Sequence, residues 1–223
     1  MSEMSVSEAV LSRRSIRAFR PDAVPLELLR RVMDKARWAP SGCNFQPWEA
    51  TIVAGAPLAD LQRKMLEAPF QDPQEYSFSA PEAIPECKAR LKQVGAAMYQ
   101  AMGIGRADAA ARADFIRNNV LSFGAPAVLM CYFDRRMGPP QWSDTGMWLQ
   151  TIMLLLREEG LDSCPQEFLS FHARLIKEAI GVSDETHIFF CGIAIGYRDA
   201  TAVVNGFERA REPVEGNVRF LGF

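Results

Sequence analysis

Two unbroken apolar runs of strand length are the clearest pattern in the sequence. Residues 125–133 read Ala-Pro-Ala-Val-Leu-Met-Cys-Tyr-Phe, and residues 187–197 are similarly apolar. A strand that is covered on both faces does not alternate between apolar and polar positions. The sequence therefore predicts two buried strands, and a third at residues 49–53 after a proline-rich loop.

Apolar positions at helical spacing separate these strands. Ser5 and Glu8 have the spacing of a capping box, which predicts a short helix leading to Arg13. The segment 162–168 has no such spacing and is predicted to be a loop. Further helices are predicted at residues 25–39, 58–66, 87–102, 107–118, 145–159 and 169–180.

The stretch from residue 69 to residue 87 interrupts the pattern with prolines and aromatic residues, among them Phe70, Tyr76, Phe78 and Pro81. Helical spacing resumes after it, so the stretch does not read as a linker between two domains. We predict one domain over residues 1–223 with an irregular and helical excursion at about 69–118. Its aromatic residues would either cover a ligand or pack an extra helical layer.

Composition narrows the possible partners. The 223 residues carry a formal charge of −2, with a pI near 5.8, which gives no general attraction to nucleic acid or to an acidic membrane. There is no secretory signal pattern and no apolar run long enough to span a bilayer. We predict a soluble cytoplasmic protein with neither nucleic acid nor membrane as a partner.

The residues that commonly carry catalysis are scarce. Five widely spaced cysteines without a C-x-x-C pair indicate reduced thiols. Only two histidines, His172 and His187, are present, so zinc sites and Ser-His or Cys-His catalysis have little material. We expect no metal site.

The most unusual polar cluster is Arg13-Arg14-Ser15-Ile16-Arg17. If this segment is extended, Arg13, Ser15 and Arg17 project from one face, where two guanidinium groups and a hydroxyl suit a phosphate. The alternative is a solvated basic turn after a helix. A second basic pair, Arg209 and Arg211, lies near the C-terminus.

The loop of residues 40–48 carries side-chain amides. Asn44 and Gln46 would together read the edge of a ring that bears imide-like donors and acceptors, or else satisfy the backbone of their own loop. No nucleophile–base pair and no metal cluster accompanies these groups. A binding site without catalytic side chains suggests that a cofactor performs the reaction.

At this point the sequence resembles the FMN-dependent nitroreductases, most closely their nitrobenzoate-reductase-like members. Four blocks in family order carry the resemblance: residues 13–19, 40–48, 123–126 with the following strand, and 205–223. The resemblance implies a three-layer α+β fold with a central, mostly antiparallel sheet flanked by helices. It also implies an intertwined homodimer with FMN sites at the interface.

The implied activity is the transfer of a hydride from NADH or NADPH, through flavin N5, to a small-molecule electron acceptor such as a nitroaromatic. The flavin carries the chemistry, so no side chain is assigned as catalytic. One alternative keeps the fold and FMN but performs reductive dehalogenation, flavin fragmentation or heterocycle dehydrogenation. Another is a non-enzymatic protein whose arginines bind an anionic partner.

The resemblance also assigns residues to the cofactor. Gln166 or Glu167 is the candidate for a backbone N–H that faces N5, although many relatives have Glu-Gly where this chain has Glu167-Phe168. Arg17 is the candidate charge beside the ring. The residues implied to contact FMN are Arg13, Arg14, Ser15, Arg17, Arg209 and Arg211 around the phosphate and pyrimidine, Pro40, Ser41, Asn44 and Gln46 from the other subunit, Pro165, Gln166 and Glu167 along the ring, and Asn118 or Asn119.

Overall fold

The computed structural model describes residues 4–77 and 83–223, so Phe78 and Pro81 of the excursion lie outside the described part. The strands are β1 (Glu49–Ala54), β2 (Ala127–Asp134), β3 (Asp162–Gln166) and β4 (His187–Gly196). The helices are α1 (Val6–Ser12), α2 (Leu26–Ala36), α3 (Gly55–Glu67), α4 (Pro85–Ala101), α5 (Ala109–Arg117), α6 (Pro139–Glu158), α7 (Ala173–Ala179) and α8 (Val214–Asn217).

The four strands form one antiparallel sheet in the order β1-β2-β4-β3. Leu129 and Ile193 face α2 and α6, whereas Val128 and Met130 face α3 and α7. The two central strands are thus covered on both faces, which is why they read as unbroken apolar runs. The α+β prediction of an antiparallel sheet between helical layers is confirmed.

The prediction of a loop at 162–168 is wrong, because β3 occupies residues 162–166 and pairs with β4. Pro165 suggested a loop, since proline cannot donate a hydrogen bond to a neighbouring strand. In the sheet, β3 is an edge strand with β4 on one side only. An edge position tolerates a proline whose missing N–H faces away from the neighbour.

Two helix boundaries differ from the predictions. Helix α6 begins at Pro139 rather than at residue 145, because proline is compatible with the first helical turn. The backbone N–H of Gly138 there donates to the side chain of Gln141 at 3.1 Å. The helix predicted at 169–180 is divided into a 3₁₀ helix, Glu167–His172, followed by α7. Helices α1 to α5 follow the predictions to within a few residues.

The five cysteines are all free, and three of them are buried. Trp148 is buried and stacks on Trp48 with ring centroids 5.6 Å apart, while the half-buried Trp142 packs edge-on against Phe133. Within residues 4–77 and 83–223, no helix combines the length and apolar character needed to cross a bilayer.

Candidate functional site

The arginine segment, residues 13–17, is extended, which is the condition under which Arg13, Ser15 and Arg17 share one face. Ser15 forms a parallel bridge with Ser163 of β3, and the N–H of Ile16 donates to the carbonyl of Ser163 at 3.0 Å. Ile16 is fully buried. Because side chains alternate along an extended chain, Ser15 and Arg17 project to the opposite side from Ile16.

Asn205 fastens the C-terminal region to this segment. Its Oδ1 accepts the backbone N–H of Arg17 at 2.8 Å, and its Nδ2 donates to the carbonyls of Ala18 at 2.8 Å and Asp199 at 2.9 Å. The side chain is buried, so all three bonds are shielded from water. No role in the site was predicted for Asn205. Its one signal was a lone amide among apolar neighbours.

Five guanidinium groups meet as a result. Burial, followed by repulsion from Arg14, Arg17, Arg13 and Arg211, lowers the pKa of Arg209 to about 10. Burial and the neighbouring Arg211 likewise lower the pKa of Arg13. None of these five arginines, which we call the arginine cluster, has a carboxylate partner among residues 4–77 and 83–223. Such a concentration of unpaired positive charge fits a multiply charged anion.

Neighbouring cations are paired instead. The buried carboxylate of Asp162 accepts hydrogen bonds from Arg157 at 2.9 Å and from Arg198 at 2.6 Å, and this pairing raises the pKa of Arg198. These bonds fix the first residue of β3. The arginine segment adjoins this strand through the bridge between Ser15 and Ser163.

At its other end β3 presents polar groups. Gln166 is buried, and its Nε2 donates to the carbonyl of Asn119 at 2.8 Å, while its buried Oε1 has no partner among the described residues. Glu167 is exposed and opens the 3₁₀ helix, whose first N–H groups lack an intrahelical acceptor. The exposed Pro165 lies between Gln166 and Cys164, whose thiol pKa burial raises to about 11.

The two asparagines singled out by the resemblance differ in their surroundings. Asn118 is exposed at the end of α5, and its carbonyl accepts the N–H of Phe123 at 2.9 Å. Asn119 is half-buried and contacts Gln166 through its carbonyl. The contact with the end of β3 is thus made by Asn119 rather than Asn118.

The loop of residues 40–46 has a constrained backbone. Cys43, Asn44 and Gln46 adopt positive φ values of 49°, 58° and 46°, which are uncommon for residues other than glycine. Ser41 Oγ accepts the N–H of Gln46 at 3.0 Å, and Gln46 Nε2 donates to the carbonyl of Asn44 at 3.1 Å. Part of the polar content therefore satisfies the loop itself, while Pro40, Asn44 and Gln46 remain exposed.

Within one chain this loop is not brought to the arginine cluster. The N–H of Gly42 donates to the carboxylate of Asp144 near the start of α6, whereas Ser12, next to Arg13, accepts a hydrogen bond from Arg157 near its end. At 1.5 Å per residue, Asp144 and Arg157 are about 20 Å apart along the helix. The structure therefore assembles the arginine cluster and the end of β3, but leaves the amide loop at a distance.

Comparison with known proteins identifies the class. A model described as the nitroreductase family matches residues 10–197, so the chain belongs to the nitroreductase family. It is 34% identical over 216 residues to the 4-nitrobenzoate reductase of Pseudomonas putida, covering 96% of this chain and 94% of that protein.

Two solved structures are similar over nearly the whole chain. The FMN and NADPH-dependent nitroreductase NfnB from Sphigopyxis sp. strain HMH has a TM-score of 0.93 at 40% identity, covering 98% of this chain and 100% of that one. The FMN-dependent nitroreductase NfnB from Mycobacterium smegmatis, in complex with NADPH, has a TM-score of 0.89 at 31% identity, covering 96% and 97%.

Proposed function

We propose that this protein is an FMN-dependent oxidoreductase that uses NADH or NADPH to reduce nitroaromatic compounds. The observation that carries the proposal is the arginine cluster, drawn from both ends of the chain and without a carboxylate partner among the described residues. The full-length similarity to nitroreductases supports the reaction.

The residues present fit FMN. The arginine cluster suits its phosphate, which is doubly charged near neutral pH and accepts bidentate hydrogen bonds from guanidinium groups. The orphaned Oε1 of Gln166 lies at the end of β3, the strand that Ser15 bridges, and the first N–H groups of the 3₁₀ helix that begins at Glu167 follow it directly. They offer an acceptor and donors to the polar edge of a flavin ring.

When bound, FMN would supply the chemistry, taking a hydride from the nicotinamide and giving it to the electron-poor acceptor. The protein binds and orients. Arg17 would place positive charge beside the pyrimidine side of the ring, where negative charge is stabilised by a nearby cation. Glu167, or Gln166, would direct a backbone N–H at N5. Pro165 would lie along the ring, and Asn118 or Asn119 near it.

We further propose that the site is completed in a homodimer. The amide loop, with Pro40, Ser41, Asn44 and Gln46, is held about 20 Å along α6 from the arginine segment. It would therefore serve the site of a second copy. Large apolar side chains exposed on α1 and in the C-terminal tail, including Val6, Leu11 and Phe223, suit burial between subunits.

The site should be assembled in a reducing compartment. All five cysteines are free, and Cys43 is exposed within the amide loop. Unpaired thiols of this kind persist where glutathione and thioredoxin keep them reduced. On that ground we propose a cytoplasmic location.

The absorption spectrum of the purified protein, followed by titration with NADH and NADPH, tests the proposal. We expect a yellow protein whose flavin is bleached by a reduced nicotinamide and recovers its colour on addition of a nitroaromatic. A protein that holds FMN but is not reduced by nicotinamide would support a flavoenzyme with another reaction. A colourless protein that binds no added FMN would support an anion-binding interaction protein.

A further inference from the structure

The excursion contains a groove that none of the assignments above uses. It lies between α4, α5 and their connection and encloses about 510 Å³, a volume within the range of small-molecule sites. Its lining consists of one face of α4 and two arginines that follow it: Leu91, Lys92, Gly95, Ala96, Tyr99, Arg106 and Arg112.

The groove is strongly positive. Lys92, Arg106 and Arg112 line it, and none of the lining residues is acidic. The structure gives none of the three an ion pair within residues 4–77 and 83–223. Asp108, which lies between Arg106 and Arg112 in sequence, caps α5 by accepting the N–H of Ala111 at 3.0 Å. Three cations without a counter-charge in a concave surface favour an anionic ligand.

Arg112 is held in position before any ligand arrives. Its guanidinium lies 4.0 Å from the ring centroid of Tyr99, and its Nε donates to the carbonyl of Gly105 at 3.1 Å. Tyr99 in turn packs edge-on against Phe115, with centroids 5.8 Å apart. The two terminal nitrogens of Arg112 are left to donate in the fork geometry that matches a carboxylate or a phosphate.

The remaining wall is apolar and open. Leu91 is half exposed, and a Cβ built on Gly95 would have no atom within 4 Å. Together with Ala96 these residues form a shallow apolar surface beside the cations. A flat ring would cover this surface while its anionic substituent reached Lys92 or Arg112.

The groove borders the proposed flavin site. Leu91 also lines a neighbouring cavity of about 700 Å³ whose other wall includes Arg211 of the arginine cluster. On the other side, Phe115 packs on Phe123, and the carbonyl of Phe123 accepts the N–H of Phe19, two residues after the arginine segment. A ligand in the groove would therefore lie next to the arginine segment.

We infer that this groove binds the anionic group of a reactant, a phosphate or carboxylate carried on an aromatic ring system. Two reactants supply this chemistry: NADPH through its adenosine 2′-phosphate, and an aromatic carboxylic acid that serves as the acceptor. The reactant role rests on the proposed function, whereas the binding of such an anion does not.

Direct binding to the FMN-loaded protein is the first test, because it does not depend on turnover. Calorimetry would compare adenosine 2′-phosphate with adenosine, and benzoate with benzamide. We expect the groove variant Lys92→Gln/Arg106→Gln/Arg112→Gln to bind at least one of the two anions about ten-fold more weakly, because it removes charge-assisted bonds that solvent partly screens. Lys88→Gln/Arg117→Gln, on α4 and α5 but outside the groove, is the control for removing positive charge from these helices.

Steady-state kinetics then distinguish the two sources. A fall of about ten-fold in the kcat/KM ratio of NADPH to NADH, with neutral nitrobenzene as the acceptor, assigns the groove to the reductant. A similar fall in the ratio of 4-nitrobenzoate to nitrobenzene, with NADH as the reductant, assigns it to the acceptor. Gly95→Leu should act in the same direction by filling the groove, and a Cβ at this position has no atom within 4 Å.

The inference is overturned if the groove variant and Gly95→Leu bind both anions as the control does and keep both ratios within two-fold of it. Failure of the proposed function gives a different result. In that case the unmodified protein would oxidise neither nicotinamide, while the loss of anion binding in the groove variant would still establish the groove as a site.

Discussion

Lys177 and the arginine cluster are two sets of cations with opposite surroundings in this molecule. Lys177 is fully enclosed, and its Nζ contacts Glu75 at 2.8 Å, Asp184 at 2.6 Å and the carbonyl of His187 at 2.9 Å. The arginine cluster contains five cations and no carboxylate from the described residues. Both groups join distant parts of the chain, but only the first neutralises its own charge.

The paired lysine belongs to the scaffold of the fold, whereas the unpaired arginines belong to the proposed site. The paired lysine ties the start of the excursion, through Glu75, to α7 and the sheet. The arginine cluster instead destabilises the empty fold. Because the folded pKa of Arg209 is lowered to about 10, its unfavourable contribution is fully present below that pH and disappears only above its ordinary pKa. At neutral pH, a bound dianion would offset this cost.

The largest effect is expected from removing part of the arginine cluster. Arg17→Ala combined with Arg211→Ala should lose FMN, because each charge-assisted phosphate contact contributes about 1.5 to 3 kcal/mol. The empty protein should remain folded with an unchanged or higher Tm, since repulsion is relieved. Flavin content and a fluorescence titration measure the first effect, and thermal denaturation the second.

The control for this double variant is Arg20→Ala, which lies beside the segment but is exposed and paired with Asp22. It should retain FMN. Full FMN retention by the double variant would refute the assignment of the phosphate to the cluster.

Breaking the paired group should act on stability instead. Lys177→Met is expected to lower the free energy of unfolding by about 3 to 5 kcal/mol, because it leaves Glu75 buried beside one cation fewer. Lys35→Met is the matched control: its bond to Glu158 has the same 2.8 Å length but is exposed, so the loss should stay below about 1 kcal/mol. Equal losses in urea denaturation would contradict the comparison.

A smaller effect is expected at the link between segment and tail. Asn205→Ala should lower the free energy of unfolding by about 1 to 3 kcal/mol and weaken FMN binding, because the N–H of Arg17 loses its acceptor. Asn205→Asp keeps that acceptor but no longer donates to the carbonyls of Ala18 and Asp199. If Asn205 only stabilises the fold, both variants will bind FMN as tightly as the parent once corrected for unfolding.

The smallest expected effect concerns His172, whose two ring nitrogens are buried without partners in the described part of the chain. Burial lowers its pKa, so the folded state favours the neutral ring. The stability associated with this group is present above the unfolded pKa of about 6.5 and is lost as the pH falls below it. His172→Phe should flatten the dependence of Tm on pH between about 7 and 5. A parallel curve would exclude His172 as its source.

The sequence predicted best the elements whose burial is uniform. The runs that became β2 and β4 needed no knowledge of their neighbours, because apolar residues on both faces already indicate a central strand. β3 was missed because its strand character comes from pairing with β4, and Pro165 points the other way. The beginning of α6 was missed because two prolines in a first helical turn resemble a loop.

For the candidate site, the sequence indicated which residue types would bind a ligand, but not which residues lie close together in space. The arginine segment was chosen as an anion-binding candidate from local composition, and in the structure it is extended. Asn205 was missed because its three bonds join residues that are far apart in sequence. The positive groove was not predicted, because Lys92 and Arg112 resemble ordinary solvated helix residues until folding brings them together. The roles assigned to individual site residues remain predictions.

Helix α6 holds the two parts of the proposed site, the amide loop and the arginine segment, near its opposite ends. In the proposed homodimer, each flavin would be anchored by one copy and covered by the amide loop of the other. Dissociation of the subunits and release of FMN would then be thermodynamically coupled. Dilution of the protein would therefore release FMN as the dimer dissociates. Saturating FMN would raise the affinity between the subunits by the same factor.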